Sequence, residues 1–162
     1  MKTKLSTKTL VLAALFAATV AVTTAFTAFP IMGGNGYIHV GDIFVLLAAS
    51  VLPAPVAAIA CGIGGALADT MAGFALYILP TALIKAAMAY TFAKSKNRLL
   101  GVVLAVIILC GGYYITEVFL FGSFISPLSC IPWNLIQGAF GAAGYFLLAS
   151  PVRKLLDKLS IQ

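Results

Sequence analysis

Acidic residues are scarce in this chain. Four Asp and Glu stand beside ten Lys and Arg and one His, so only 9% of the 162 residues are charged. A soluble domain carries roughly 25%. An apolar share of 62% could not be hidden by a soluble protein this short, because small domains leave much of their surface exposed. Lipid removes that difficulty, provided the backbone satisfies its own polar groups, which helices do. No ten-residue stretches of alternating polarity occur, so nothing points to a β-barrel. Cysteine is limited to Cys61, Cys110 and Cys130, widely spaced, without a CxxC pair or a His partner. They read as small apolar fillers and suggest neither a metal site nor a disulfide framework. No Walker motif and no paired nucleophile and base are found, so the chain is not expected to be an enzyme or to need a cofactor. Repeats, linkers and low-complexity segments are missing too. Residues 1–162 form one transmembrane domain.

Six apolar spans can be drawn, at about residues 7–29, 40–52, 56–73, 77–93, 99–121 and 132–149. The first follows Lys2, Lys4 and Lys8 and superficially resembles a signal peptide. Its apolar run of about 20 residues is long enough to cross a bilayer, so it reads as a retained helix, with cleavage the alternative. The second span is short and closes at Pro53-Ala54-Pro55, and a re-entrant arrangement of the second and third spans stays open. An all-α integral membrane protein with six transmembrane helices is the expectation.

Nine of the ten Lys and Arg fall in three short groups: Lys2, Lys4 and Lys8; Lys94, Lys96 and Arg98; and Arg153, Lys154 and Lys158. Basic groups flanking apolar spans mark cytoplasmic ends. With six crossings, all three groups fall on one side and both termini are cytoplasmic. The net charge of +6 is thereby accounted for without nucleic acid.

Five titratable residues remain: His39, Asp42, Asp69, Lys85 and Glu117. An ionisable group inside a membrane costs about 2.5–3.5 kcal/mol on insertion scales, so each needs a reason. At about 1.5 Å per residue, Asp69 lies roughly 20 Å and Glu117 roughly 27 Å from the inner ends of their spans, with Lys85 near mid-depth. His39 and Asp42 sit at the outer start of the second span. All five lie from the midplane outward, which points to one external-facing cavity. Simpler roles compete. Asp42 reads equally as a helix N-cap, and Asp69 as a buried partner of Lys85. Tyr37, Tyr77, Trp133 and the Tyr113-Tyr114 pair read either as site residues or as interfacial aromatics. Asn134 and Gln137, three apart, share a helix face, and Pro132 before them frees backbone groups. With the carboxylates they make a hydrogen-bonding wall for a polar heterocycle. Three acids against one lysine favour a neutral or cationic ligand over a polyanion. Ala13, Ala14, Ala17, Ala18 and Ala21 provide small-xxx-small spacing for close helix approach. The glycines of the third and sixth spans read as internal packing.

The ordered motifs resemble a known family. Tyr37-Ile38-His39-Val40-Gly41-Asp42 comes first, then Gly62-x-Gly-Gly-Ala-Leu-Ala-Asp69 with Gly73, Tyr77, Pro80-Thr81 and Ile84-Lys85. Glu117 with Phe121-Gly122-Ser123 and Ile131-Pro132-x-Asn134-x-x-Gln137-Gly138 complete the set. Over nearly its whole length the sequence is similar to substrate-binding S components of energy-coupling factor (ECF) vitamin transporters. It is most similar to the branch handling pyridoxine, hydroxymethylpyrimidine and queuosine precursors, and His39 stands where that branch more often has Asn. The resemblance implies the six-helix S-component fold with an outward pocket covered by the loop between the first two helices. It implies substrate contacts from Tyr37, His39, Asp42, Asp69, Tyr77, Lys85, Glu117, Trp133, Asn134 and Gln137. The alanines of the first span would dock a transmembrane coupling subunit, and two cytoplasmic ATPases would complete the importer in a bacterial-type cell membrane. The implied ligand is pyridoxine-like or hydroxymethylpyrimidine-like, with a queuosine precursor or riboflavin as alternatives. From a different class, an autonomous proton-coupled secondary transporter using Asp69, Lys85 and Glu117 is the competing reading.

Overall fold

The structure is a computed structural model that describes residues 6–30 and 36–158. Lys2, Lys4, Gly33, Gly34 and Asn35 lie outside the described residues. Six helices are formed: α1 (Thr7–Phe26), α2 (Asp42–Val51), α3 (Ala54–Ala72), α4 (Ile78–Lys94), α5 (Arg98–Phe121) and α6 (Cys130–Lys158). Short 3-10 turns precede α4 and α6. A small antiparallel hairpin joins α1 to α2, its strands β1 (Phe29–Pro30) and β2 (Tyr37–Ile38) pairing Phe29 with Ile38 and Pro30 with Tyr37.

Local chemistry sets the helix ends. Ser6 caps α1 by accepting from the Thr9 N–H, and Asn97 caps α5 by accepting from the Leu99 and Leu100 N–H groups. Gly73 and Gly122 end α3 and α5 in the left-handed region, at φ 80° and 63°, where a side chain would be strained. Pro80 and Pro132 each sit in the first turn of their helix. Amide groups are unpaired there in any case, so Pro132 frees no extra backbone for a cavity.

Five of the helices are long and apolar enough to cross a membrane; α2, with ten residues, is not. At about 15 Å, α2 covers half of a hydrocarbon core about 30 Å thick. The connector from the hairpin, residues 39–41, leads into the N-terminus of α2. A Cβ on Gly141, eleven residues into α6, would lie 3.1 Å from Asp42 Cβ. Asp42 and His39 are therefore well inside the bundle, 1% and 6% exposed, not at the outer start of a span. Non-helical backbone at this depth survives only if its polar groups are satisfied. Here they are: Val40 N–H donates to Thr27 Oγ1, Gly41 N–H to His39 Nδ1, and His39 N–H to Gln137 Oε1.

Helix α3 lies against both α1 and α4, while α5 and α6 close the far side and α2 packs on α4 and α6. Glycines allow the closest approaches. A Cβ on Gly64 would stand 2.7 Å from the Ala17 carbonyl oxygen, and one on Gly62 2.9 Å from that of Ala82. The polarity is inverted relative to a soluble protein. Leu15, Phe26, Ile63, Leu79, Leu83, Ile107, Phe119 and Leu147 are among the large apolar side chains left exposed, while Lys85, Asp42, Asp69 and Gln137 are buried. This is the outline of a helix bundle solvated by lipid.

Candidate ligand site

The cavity of interest lies among the C-terminal parts of α3 and α5 and the N-terminal parts of α4 and α6, beneath the hairpin. It is lined by Gly36, Tyr37, His39, Asp69, Phe74, Tyr77, Thr81, Tyr113, Glu117, Cys130 and Asn134. Six residues expected at the site thus meet here: Tyr37, His39, Asp69, Tyr77, Glu117 and Asn134. Each arrives for a local reason. Asp69 is three residues before the end of α3, and the Gly73 turn brings Phe74 and Tyr77 back over it. Glu117 and Cys130 face one another across the short α5–α6 connection.

Hydrogen bonds organise the carboxylates. Tyr37 Oη donates to Asp69 Oδ1 at 2.6 Å, fixing the hairpin to the end of α3. Asp69 Oδ2 is buried and has no partner among the described residues. Tyr77 and Cys130 stand beside the Glu117 carboxyl, within its hydrogen-bonding neighbourhood. Thr81 and Tyr113 share a hydrogen bond of 3.0 Å across α4 and α5. Tyr37, Phe74, Tyr77 and Tyr113 form a continuous aromatic wall, with successive ring centroids 4.8, 6.3 and 6.4 Å apart.

Beneath this wall lies a second polar layer. Lys85 pairs with Asp42, not with Asp69, because the descending connector delivers Asp42 to the Lys85 ammonium. Gln137 Nε2 donates to Asp42 Oδ2 at 2.7 Å, and its Oε1 receives the His39 N–H. Asp42, Lys85 and Gln137 therefore support the cavity floor and do not line it. The helix-cap role for Asp42 is not what the structure shows, since its carboxylate makes no bond to a first-turn amide and is committed to Lys85 and Gln137.

Three further expectations need correction. Trp133 is half-buried and is not in the cavity wall: one position before Asn134 on α6, it points about 100° away. Cys130, read as an apolar filler, lines the cavity, as do Phe74, Thr81 and Tyr113, the last left open between site residue and interfacial aromatic. For Tyr113 the usable signal was its spacing: it lies four residues before Glu117 on the same face of α5. On α1 only part of the alanine set is available. Ala14 and Ala18 are exposed, Ala13 and Ala17 are half-buried, and Ala21 is 4% exposed, because Ala17 and Val20 are the contacts of Gly64 on α3.

The cavity has a volume of about 30 Å³, whereas pockets that enclose small molecules span about 300–1,000 Å³. Admitting an aromatic ligand therefore requires a wall to move. Tyr37 is on a non-helical wall segment, the hairpin strand β2, and one hydrogen bond to Asp69 anchors its hydroxyl.

Comparison with known proteins adds a lineage. A family model described as "ECF-type riboflavin transporter, S component" matches residues 4–154. A curated protein of Pyrococcus woesei, described as an uncharacterized protein in the gap 3' region, is 34% identical over 110 residues. That alignment covers 64% of this chain and 74% of the other.

Proposed function

The chain belongs to the ECF-type riboflavin transporter S component family, a family of membrane-embedded vitamin-uptake subunits and not of enzymes, and we propose that it is the high-affinity binding subunit for a small aromatic nitrogen heterocycle. Pyridoxine-like and hydroxymethylpyrimidine-like compounds are the leading ligands, and a queuosine precursor or riboflavin the alternatives. The observation that carries this reading is the composition of the outer cavity. Aromatic faces from Tyr37, Phe74, Tyr77 and Tyr113 stand beside Asp69, Glu117 and Asn134. A flat ring with polar edges matches that mixture.

In this reading the hairpin is the cover. It releases the Tyr37–Asp69 bond to admit ligand from outside, and it re-forms over the bound ring. α2 completes a six-helix arrangement as a half-crossing whose outer portion is the connector. The basic groups near Lys8, Lys94–Arg98 and Arg153 face the cytoplasm, as do both termini. Lys8, Arg153 and the α2–α3 turn at residues 50–53 surround one groove, which supports placing them on one side. A transmembrane coupling subunit and two cytoplasmic ATPases would supply the energy for which this chain has no motif.

Native mass spectrometry of gently purified protein tests the reading, since a tightly held heterocycle co-purifies and is identified by mass. Glu117→Gln and Asn134→Ala should each weaken its binding while leaving helix content unchanged. Unchanged affinity in both variants would remove the ligand from this cavity.

A further inference from the structure

Charge is not balanced at the cavity. Among the described residues Lys85 is the one buried Lys or Arg, and its ammonium is committed to Asp42. Residues 31–35, Ile-Met-Gly-Gly-Asn, bring no ionisable side chain. Lys85 is felt at Asp69 and lies 5.7 Å from the Tyr113 ring centroid, but among the described residues one ammonium stands against the three carboxylates of Asp42, Asp69 and Glu117, and none pairs with Asp69 or Glu117. They also differ from each other. Glu117 already has Tyr77 and Cys130 beside it. Asp69 takes a hydrogen bond from Tyr37 on Oδ1 and has the Thr81 hydroxyl close by, while Oδ2 is buried and makes no hydrogen bond among the described residues, in a residue only 2% exposed.

An unpaired buried carboxylate oxygen carries a desolvation penalty until a donor reaches it. The aromatic wall adds an independent preference, since ring faces attract cations and repel anions. Both features favour the same chemistry. Resting on the reading that this cavity is the ligand site, we infer that its ligand is a basic, amino-substituted azine that is cationic when bound and directs an N–H donor onto Asp69 Oδ2. A ring that presents a carbonyl edge there sets acceptor against acceptor. Discrimination between amino and oxo substituents at one ring position is therefore built into Asp69. A site shaped for one hydrogen-bonding pattern rejects the mismatched pattern strongly, because its own polar group is left unpaired.

The test is calorimetric titration of the purified full-length protein with four probes. They are 4-amino-5-hydroxymethyl-2-methylpyrimidine, its 4-oxo analogue, pyridoxine and riboflavin. The amino probe is expected to bind at least about tenfold more tightly than the oxo analogue and more tightly than the other two. Asp69→Asn should weaken the amino probe by roughly 10- to 100-fold, the range of a lost charge-assisted hydrogen bond, and narrow the amino/oxo gap. Stronger binding of the oxo analogue, pyridoxine or riboflavin in the wild type overturns the inference and leaves the ligand-site reading standing. So does an amino-probe affinity that Asp69→Asn leaves unchanged. Should that variant fail to fold, the amino/oxo comparison in the wild type decides alone. Binding of none of the four, with no heterocycle co-purifying, overturns the ligand-site reading as well.

Discussion

Lys85 and Asp42, 43 positions apart, form an ion pair in which neither side chain is more than 1% exposed. Gln137 continues it from Asp42 to the His39 backbone, so α2, α4, α6 and the connector share one polar junction. Removing one member of a buried pair leaves an uncompensated charge and typically costs about 3–5 kcal/mol. Lys85→Met should therefore destabilise the protein by about that much, and Asp42→Leu by a similar amount. The double variant, which removes both charges, should recover much of the loss. Thermal unfolding in detergent measures all three. A double variant no more stable than the single ones would mean that the junction acts through shape and not charge.

The same junction makes the connector sensitive to acid. His39 Nδ1 accepts the Gly41 N–H at 3.0 Å, a role open to neutral imidazole but not to imidazolium. Protonation in the packed connector would break that bond and add a second cation to a buried layer that already holds Lys85. With the connector withdrawn, the imidazole returns to its ordinary pKa of ~6.5. Below that value the withdrawn form takes up a proton that the packed form refuses, so packing is fully favoured above pH ~6.5 and is lost progressively as pH falls below it. Accessibility of a cysteine placed at Val40, read by thiol labelling between about pH 8 and pH 5, should rise on acidification. His39→Asn should flatten that rise; an equal rise in the variant would assign it to a different group.

Close helix contact makes a third expectation quantitative. A Cβ on Gly64 would meet the Ala17 carbonyl oxygen at 2.7 Å and Val20 side-chain atoms at 2.9 and 3.0 Å, whereas one on Gly111 would meet nothing within 4 Å. Backbone cannot yield as a flexible side chain does. Gly64→Ala should therefore destabilise by about 1–3 kcal/mol through forced separation of α1 and α3. Gly111→Ala should be neutral or stabilising by up to about 1 kcal/mol, from helix propensity. Equal melting temperatures for the two variants would show that α1 and α3 are not in contact at Gly64.

These contacts mark what was legible in the sequence. Apolar run lengths placed the ends of the five long helices within a few residues, except that α6 continues to Lys158, nine residues past the expected end at 149; hydrocarbon thickness sets the length of an apolar run, but not how far its helix extends into the basic, polar residues that follow. The gathering of Asp69, Glu117 and Asn134 was legible too, since depth follows from counting residues along each span. The partner of Lys85 was not. Periodicity gives a residue's depth and face but not the path of an irregular segment. The connector that carries Asp42 inward is held by Thr27 and Gln137, two side chains 110 positions apart. Tyr113 stays ambiguous in the sequence for a related reason: an aromatic near a helix end suits an interface and a site equally until the facing residue, here Thr81, is known.

The exposed alanines of α1 offer the most direct assay of assembly. Ala14 and Ala18 lie on the surface, among Val11, Leu15 and Val22, while Ala21 is turned into the bundle. Small side chains on an outer face allow a second helix to approach closely in lipid, where packing and not water release drives association. If the coupling subunit docks there, Ala14→Trp and Ala18→Trp should each abolish its co-purification and stop uptake into cells, with ligand affinity of the isolated subunit unchanged. Ala21→Trp should instead lower the melting temperature, because the indole has no room in the bundle. The contrast separates docking from folding on one helix. Intact co-purification in both outer variants would move the docking surface off α1, whereas loss of ligand affinity in either would show that this face supports the binding fold.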